Sequence, residues 1–291
     1  YQVETHSSLD AVIRALASDV KAAFLVDANI LKLYPSAFAG ETRIIPVTAT
    51  EENKSYEALA PLFAKLLASG FKRDGHLVVV GGGVTQDIGA FIAANLFRGV
   101  RWSLVPTTLL AQADSCIGGK SSINIAGYKN MLGNFYAPHR VLMVFDVLST
   151  LAPDDVRSGL GEVIKLFYVD GREALPSDVH NLRKDAATLG KLVLEALTIK
   201  QRFIEEDEFD RGVRNLLNYG HTFGHAYESA THYKIPHGIG VTLGMLSATF
   251  FSEKLGLAPQ GFYAQWKTRF APYFEPYDRL LKKLGTEPLL A

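Results

Sequence analysis

Four of the eight histidines in the chain lie within NYGHTFGHAYESATHYKIPHG, residues 218–238. His221 and His225 are four residues apart, a spacing that places both on one face of a helix. His237 follows a proline, and we expect it in a loop before the next helix. Two histidines joined by a carboxylate from another segment make a catalytic zinc site with one open coordination position. The same spacing occurs on ordinary polar surfaces, so a metal site and a surface cluster both stay open.

Glu162 is the candidate for that carboxylate. It lies in GEVIK, residues 161–165, three residues before Lys165, so the two charges share a helical face. The neighbouring residues are apolar, which indicates that the helix is largely buried. A buried carboxylate needs a cation or a metal as its partner. A surface ion pair is the alternative, and the apolar surroundings disfavour it.

A glycine-rich segment, GGGVTQD at residues 81–87, indicates a second kind of site. It follows a continuous apolar run and opens a helical pattern. Glycines there let the backbone approach a pyrophosphate, and the start of a helix offers free N–H groups and the positive end of its dipole. The segment departs from the GxGxxG pattern, so a tight turn without a ligand is the alternative.

Polar side chains follow two other predicted strands. Asp27, in VDANI, can accept hydrogen bonds from a ribose. Thr107 and Thr108, in VPTT, place two hydroxyls at the end of a strand, where a nucleotide binds in such folds. Local roles are the alternatives, namely a helix cap for Asp27 and a polar turn for the threonines.

The segment DSCIGGKSSINIAGYKN, residues 114–130, is too polar for a core. Lys120 and Lys129 can clamp a phosphate there, with paired glycines giving access to the backbone. A solvated loop is the alternative. The whole chain has thirty basic and thirty acidic residues, so an anion site must be local. That balance argues against nucleic acid or an anionic membrane as a partner.

The elements that position these groups follow from hydrophobic periodicity. The first half alternates strands and helices, which favours an open α/β domain with a parallel sheet and right-handed crossovers. The predicted strands are 21–29, 42–48, 76–83 and 100–108, and the predicted helices are 84–97 and 55–71, the latter with Ser55 as N-cap and Gly70 past its end. From about residue 151 the predicted helices are 156–167, 187–206, 214–230, 240–255 and 262–283, with no strand. We therefore predict an α/β nucleotide-binding domain, 1–150, followed by an all-α domain, 151–291, joined near 148–153.

Composition limits the remaining possibilities. The 291 residues suit one large domain or two ordinary ones, and 48% hydrophobic residues suffice for a sizeable core. The single cysteine, Cys116, makes an internal disulfide impossible and favours the cytoplasm. No apolar run is long enough for a membrane span, and no signal peptide is visible. The chain begins at Tyr1 without a methionine, which suggests a trimmed N-terminus.

Several of these segments together resemble the dehydroquinate synthase family of sugar phosphate cyclases, from about Asp27 to Gly256. The resemblance rests on VVVGGGVTQDIGAF, RGVRWSLVPTTLLAQADSCIGGKSSIN, KNMLGNFYAP, SGLGEVIK and RNLLNYGHTFGHAYE, followed by PHG. These motifs occur in the order and at the spacing of the family. The resemblance implies a nucleotide-binding α/β domain, a C-terminal helical domain and a homodimer.

The resemblance also implies site residues, motif by motif. One zinc or cobalt ion would be held by Glu162, His221 and His237. NAD would contact Asp27, Asn29, Glu51, Lys54, Gly82, Gly83, Asp87, Thr107, Thr108 and Lys129. The substrate would contact Asp114, Lys120, Asn130, Lys165, Lys200, Arg214, Asn218 and His225. Arg98 would reach across the dimer to the phosphate bound by the partner, and His232 would lie on the surface.

The implied reaction converts a seven-carbon 2-keto-3-deoxy sugar acid phosphate to 3-dehydroquinate in the shikimate pathway. NAD transiently oxidises a hydroxyl that the metal activates, phosphate leaves by elimination, and the hydride then returns. The ring opens and an intramolecular aldol step closes the carbocycle, so NAD is not consumed. The substrate carries a phosphate and a carboxylate, and the cations implied for them are Lys120, Lys165, Lys200, Arg214 and Arg98.

Three features depart from the family pattern. After His237 the family usually reads HGEAVA, whereas this chain reads HGIGVT, so Ile239 replaces a glutamate that can support the metal ligands. The segment PVTATEENKS, 46–55, departs from the usual PGGE form, although Glu51 and Lys54 keep their spacing. A phosphate-binding lysine segment of the family is expected about where the chain stops, at Ala291.

Other functions stay open on the sequence. A sibling cyclase would act on a sugar phosphate without a carboxylate. Lys200 and Arg214 argue against it, because an unpaired buried guanidinium is costly. A metal- and NAD-dependent polyol dehydrogenase on the same architecture would produce NADH. A catalytically silent protein that binds NAD or metal is the remaining alternative.

Overall fold

The structure of the chain is a computed structural model that describes residues 2–172, 182 and 185–284. The chain divides into two compact units, Tyr1–Thr150 and Leu151–Ala291. None of the helices in the described ranges combines the length and the apolar character that a membrane span requires.

The first unit contains eight strands and four α-helices among its described residues. The strands are β1 Gln2–His6, β2 Ala22–Asp27, β3 Ile44–Val47, β4 His76–Gly81, β5 Arg101–Pro106, β6 Ile123–Ile125, β7 Tyr128–Leu132 and β8 Arg140–Val144. The helices are α1 Leu9–Ala17, α2 Ala28–Leu33, α3 Tyr56–Ala68 and α4 Gly83–Asn95. Short 3-10 turns lie at Pro35–Phe38, Leu96–Arg98 and Phe145–Thr150, and one π-helical turn lies at Ala111–Ser115.

Six strands form one parallel sheet in the order β1-β8-β5-β4-β2-β3, and β6 pairs with β7 in a separate antiparallel hairpin. Every residue of β4 is buried, as are five of the six residues in each of β2 and β5. Such continuous burial is expected for central strands that are covered on both faces. The predicted parallel α/β fold is therefore confirmed.

The four predicted strands are present with shorter bounds, and the helix predicted over 55–71 is α3. Ser55 occupies its N-cap position, and Gly70 follows its end with a φ of 79°. The strand predicted over 21–29 ends at Asp27, and helix α2 begins at the next residue. β1, α1, β8 and the β6–β7 hairpin were not predicted. β1 is largely exposed and pairs only with β8, so its stability comes from a strand more than 130 positions away.

Every secondary-structure element among the described residues of the second unit is a helix. Its helices are α5 Pro153–Val169, α6 Ala186–Glu206, α7 His221–Ala230, α8 His237–Lys254, α9 Phe262–Phe274 and α10 Asp278–Leu284, with 3-10 turns at Val213–Asn218 and Glu275–Tyr277. This confirms the all-helical prediction for the second half of the chain.

Three boundaries in this unit differ from the prediction. The helix expected over 214–230 is broken, because Gly220 adopts a φ of 86° in the left-handed region and α7 begins only at the next residue. His237 is the first residue of α8 and does not lie in a loop. The helix expected over 262–283 is interrupted at Glu275–Tyr277, where Pro276 lacks the N–H that a continuous helix needs.

Glycines allow three helices of this unit to approach closely. A Cβ on Gly161 of α5 would lie 2.2 Å from the carbonyl oxygen of Gly238 in α8, and a Cβ on Gly238 would lie 1.8 Å from the carbonyl oxygen of Ser158. A Cβ on Gly244 of α8 would lie 1.9 Å from the carbonyl oxygen of Gly220, just before α7. Any side chain at these glycines would push the helices apart.

Candidate functional site

The close helix contacts bring Glu162, His221 and His237 together. Glu162 lies in α5, and the two histidines are the first residues of α7 and α8. Glu162 Oε1 is 3.2 Å from His237 Nε2 and 3.8 Å from His221 Nε2. Ligand atoms about 2.0–2.2 Å from a tetrahedral zinc ion are roughly 3.3–3.6 Å apart. The spacing of these three side chains fits a divalent ion.

The surroundings of the carboxylate also fit a metal. Glu162 is 1% exposed, and no donor among the described residues meets its Oε1 with hydrogen-bond geometry. A buried carboxylate oxygen in that position is costly unless a cation binds it. One carboxylate oxygen and two imidazole nitrogens are also the donor set of many catalytic zinc sites.

Lys165 is the buried cation of this cluster. Its Nζ lies 2.5 Å from Glu162 Oε2, and its side chain is 3% exposed. Burial alone would raise the pKa of Glu162, but Lys165 and the two imidazoles outweigh burial and hold that pKa well below its usual value. The carboxylate is therefore ionised, which is the form that binds a metal.

A second carboxylate contacts the cluster from α7. Glu228 Oε1 is 2.7 Å from His237 Nδ1, the ring nitrogen that does not face Glu162. Burial opposes protonation of His237, but Glu162 and Glu228 outweigh it and raise the pKa of His237 to about 10. The sequence analysis missed Glu228. Its position seven residues after His221 on the same helix was the available signal.

Ile239 is fully buried in the first turn of α8. The glutamate that the family usually has there was expected to support the metal ligands. In this chain the carboxylate on His237 comes from Glu228 instead. His225 is exposed, with its ring centroid 5.6 Å from that of His221 and 5.9 Å from that of His237.

Three more of the predicted substrate residues lie in this unit. Lys200 is buried in α6, and Asn218 is exposed, with its Nδ2 donating to Asn215 Oδ1 at 3.3 Å. Arg214 is 3% exposed and donates to the carbonyl oxygen of Glu208. Because Arg214 has this protein partner, its burial alone does not argue for a carboxylate substrate, and its contact with the substrate stays a prediction. His232 is exposed, as expected.

In the first unit the glycine-rich segment ends β4 and begins α4. Gly82 is the N-cap residue of α4, and no side chain of the described residues caps this helix. A Cβ on Gly82 would lie 2.6 Å from Thr108 Cγ2, so a side chain there would displace Thr108, whereas Gly83 has open space beside it. Free N–H groups at a helix start, approached closely by glycine backbone, suit a phosphate.

The ends of β2, β4 and β5 are neighbours at the carboxyl edge of the sheet. The chain moves outward from β2 to β3 and then returns to β4 on the other side of β2, so the strand order reverses between β2 and β4. Ligands of open α/β sheets bind at such a reversal. Asp27 is the last residue of β2, Gly82 follows β4, and Thr107 and Thr108 follow β5.

The local roles considered for Asp27 and Thr108 are present. Asp27 Oδ1 accepts a hydrogen bond from Asn29 N at 2.8 Å and caps α2, and burial raises the pKa of Asp27. Thr108 Oγ1 accepts from Ala111 N at 3.2 Å. Thr107 is buried. The contacts of these residues with NAD stay a prediction.

Lys54 joins several predicted site residues of this unit. Its Nζ is 3.2 Å from Asp87 Oδ2, 3.0 Å from Asn130 Oδ1 and 3.7 Å from Glu51 Oε1. Burial raises the pKa of Asp87 to about 6, although Lys54 opposes that shift. Ser122 N donates to Asp87 Oδ1 at 3.1 Å, which ties the β6–β7 hairpin to α4.

The remaining predicted residues of the first unit are spread over its surface. Asp114 is half-buried in the π-helical turn, and Lys129 is exposed on β7. Lys120 Nζ lies 5.9 Å from the ring centroid of Phe135. Arg98 is exposed, with a φ of 67° in the left-handed region.

Two family models of known proteins match this chain, and together they cover most of both units. Residues 44–158 match the model described as 3-dehydroquinate synthase N-terminal, and residues 159–284 match the one described as 3-dehydroquinate synthase C-terminal. A 3-dehydroquinate synthase of Enterococcus faecalis is 39% identical over 259 residues, which are 86% of this chain and 72% of that protein.

Solved structures agree with this assignment. A 2-deoxy-scyllo-inosose synthase in complex with carbaglucose-6-phosphate, NAD+ and Co2+ is 25% identical, with a TM-score of 0.83 over 93% of this chain and 77% of that one. A 2-epi-5-epi-valiolone synthase from Streptomyces hygroscopicus with NAD+ and Zn2+ bound is also 25% identical, with a TM-score of 0.81 over 94% of this chain and 80% of that one. These matches confirm the resemblance derived from the motifs, and the chain belongs to the 3-dehydroquinate synthase family.

Proposed function

We propose that the chain is a 3-dehydroquinate synthase that uses NAD and one divalent metal ion, zinc or cobalt. It converts a seven-carbon 2-keto-3-deoxy sugar acid phosphate to 3-dehydroquinate and releases phosphate. The observation that carries the proposal is the cluster of Glu162, His221 and His237, in which a buried carboxylate oxygen faces two imidazole nitrogens. The bound cofactors named for the two cyclase structures support it.

In this proposal the metal is held by the Glu162 carboxylate and the Nε2 atoms of His221 and His237. When bound, the metal supplies Lewis-acid activation of a substrate hydroxyl, and NAD supplies a hydride acceptor. Lys165 keeps Glu162 ionised by its ion pair, as the 2.5 Å contact indicates. In the proposal the Lys165 ammonium also contacts a substrate oxygen.

NAD binding is proposed at the carboxyl edge of the sheet. The start of α4 at Gly82 and Gly83 would take the pyrophosphate, because its N–H groups lack a side-chain cap. Asp27 would take a ribose hydroxyl with Oδ2, since its Oδ1 already caps α2. Lys54 and Asp87 would hold the β6–β7 hairpin beside the nucleotide through the contacts described above.

Anion recognition would come from Lys120, Lys200 and Arg214. In the proposal Arg214, which also donates to the carbonyl oxygen of Glu208, binds the substrate carboxylate. This role of Arg214 requires the proposed substrate, which carries a carboxylate.

A sibling cyclase acting on a sugar phosphate without a carboxylate is the second candidate, because one of the two cyclase structures named above is a complex with carbaglucose-6-phosphate. Sequence identity to known proteins favours the first candidate, the 3-dehydroquinate synthase. The matches to proteins named 3-dehydroquinate synthase reach 41% sequence identity, whereas those two structures are each 25% identical.

The test is a turnover assay with the metal-free protein, NAD, Co2+ or Zn2+ and the seven-carbon acid phosphate. We expect phosphate release and 3-dehydroquinate formation without accumulated NADH. The same assay is run with glucose 6-phosphate, which has no carboxylate, and with a polyol. Phosphate release from glucose 6-phosphate alone would establish the sibling activity, and net NADH from the polyol would establish a dehydrogenase. A protein that binds NAD and metal without any turnover would contradict the proposal.

We also propose a homodimer in which Arg98 acts on the partner's substrate. The exposed position of Arg98 in a left-handed turn supports a role outside its own fold. The variants Arg98→Ala and His221→Ala should each be nearly inactive. If Arg98 acts across the dimer, mixing and re-equilibrating the two variants restores activity, because a mixed dimer contains one intact site. Activity that does not rise on mixing would contradict this arrangement.

A further inference from the structure

The contact between Glu228 and His237 determines which ring nitrogen of His237 can bind a metal. An imidazole has two nitrogens, and only the one without a proton can bind a metal. Glu228 Oε1 lies 2.7 Å from Nδ1, whereas Nε2 of the same ring faces Glu162 Oε1 at 3.2 Å. A carboxylate at Nδ1 holds a proton on that nitrogen, so the nitrogen that gives up its proton to bind a metal is Nε2, which faces the carboxylate of α5.

We propose that Glu228 is a positioning residue for the metal centre, which fixes the tautomer and the rotation of His237. This inference rests on the proposed function for the presence of a metal. It assigns no ligand role to Glu228 itself, because Glu228 meets the imidazole on the side away from Glu162.

The backbone around Glu228 is shaped for this contact. A Cβ on Gly240 of α8 would lie 3.1 Å from Glu228 Cγ and 3.2 Å from its Oε1. The absence of a side chain at Gly240 therefore leaves the space that the carboxylate occupies above the first turn of α8. The side chain of Glu228 is 12% exposed, so little water competes for the imidazole proton.

The contact also explains how this chain supports His237 with an isoleucine at position 239. Ile239 is fully buried and offers no acceptor. Glu228 supplies the acceptor from α7, which is packed against α8 through glycines. Partners of this kind orient a metal-bound histidine, and their loss typically weakens metal binding about 10–100-fold.

The experiment measures Co2+ binding by the metal-free protein, with affinity from isothermal titration and coordination from the visible absorption of Co2+. The variants are Glu228→Ala and Glu228→Gln, and Glu205→Gln is the matched control. Glu205 is an exposed glutamate in α6 that contacts only Gln201 among the hydrogen bonds of the described residues. Circular dichroism of each metal-free variant checks the fold.

We expect Glu228→Ala to weaken Co2+ binding about 10–100-fold and to change the absorption band, because His237 can then rotate or change tautomer. Glu228→Gln should lose less, since its amide oxygen still accepts from Nδ1–H. Glu205→Gln should match the unchanged protein. If Glu228→Ala does not fold, the affinity and absorption band of Glu228→Gln decide, with an unaltered band and a loss below tenfold expected.

Two results would overturn the inference. One is unchanged affinity and absorption in Glu228→Ala, which would leave the metal site intact without Glu228. The other is an equal loss in the Gln and Ala variants, which would mean that only the negative charge matters. If the unchanged protein itself binds no Co2+, the proposed function fails first and the inference falls with it, so the two failures are distinguishable.

Discussion

Gly238→Ala tests whether helix proximity creates the metal site. The added Cβ would lie 1.8 Å from the carbonyl oxygen of Ser158, whereas real contacts of this kind are not closer than 3.0 Å. The first turn of α8 must therefore move away from α5 by roughly the difference, about 1 Å. His237 moves with it, so its Nε2, now 3.2 Å from Glu162 Oε1, shifts beyond the spacing that one ion can bridge.

The cost to stability has two opposing parts. Overpacking against backbone costs about 3 kcal/mol at the upper end of the usual range, because neither the carbonyl nor the helix can yield by a rotamer change. Alanine is favoured over glycine in a helix by about 1 kcal/mol. The expected net loss is about 2 kcal/mol, which is roughly a 30-fold increase in the unfolding equilibrium constant.

The assays are urea unfolding in the presence of EDTA, followed by circular dichroism, and Co2+ titration of the metal-free protein. Co2+ binding should weaken at least about tenfold, since one ligand is displaced. Gly83→Ala is the control for stability alone, because its Cβ would meet only Leu110 Cδ2, at 4.0 Å. A Gly238→Ala protein with unchanged stability and unchanged Co2+ affinity would refute the link between the glycine contact and the metal site.

Three further predictions follow from the geometry. His237→Ala should weaken Co2+ binding about 100-fold or more in isothermal titration, because one of three protein ligands is lost, whereas His232→Asn should leave it unchanged. Lys54→Met should destabilise the fold by about 1–3 kcal/mol in urea unfolding and weaken NAD binding, since the half-buried carboxylate of Asp87 loses its ammonium partner. Burial lowers the pKa of His76 below its usual 6.5, so the stability that this residue contributes is present above about pH 6.5 and decreases as the pH falls through that value. His76→Gln should therefore reduce the change in urea midpoint between pH 7.5 and pH 5.

Each of these predictions has a contradicting result. Equal Co2+ affinity in His237→Ala and His232→Asn would remove His237 from the ligand set. Lys65→Met, at an exposed lysine of α3, is the control for Lys54→Met. Equal unfolding stability and equal NAD binding in the two variants would mean that the Lys54 contacts contribute nothing. An unaltered pH dependence in His76→Gln would mean that other groups cause the acid sensitivity.

Local patterns predicted the central strands and two of the helices of the first unit. The apolar run of β4 and the glycines after it predicted a buried strand and a helix start, because burial on both faces and the freedom of glycine act within a few residues. The motif GEVIK and the spacing of His221 and His225 similarly predicted helices that carry polar groups. The metal set itself came from the family resemblance and not from periodicity.

Sequence patterns did not predict the elements whose formation depends on contacts with distant parts of the chain. β1 is a largely exposed edge strand that pairs with β8, and no pattern in its five residues predicts that pairing. The break before α7 depends on the left-handed Gly220, which packs tightly under Met245 of α8. Without that contact the sequence favours one longer helix over 214–230.

The sequence by itself determined the fold class, the helical character of the second half and the family. Only the tertiary structure decided that Glu162 faces two imidazoles, that Glu228 holds the far nitrogen of His237 and that Arg214 has a protein partner. The reason is one of range. Hydrophobic period and turn chemistry act over a few residues, whereas the distance between Glu162 and His237 is set by how closely two helices, 75 positions apart in sequence, pack at Gly161 and Gly238.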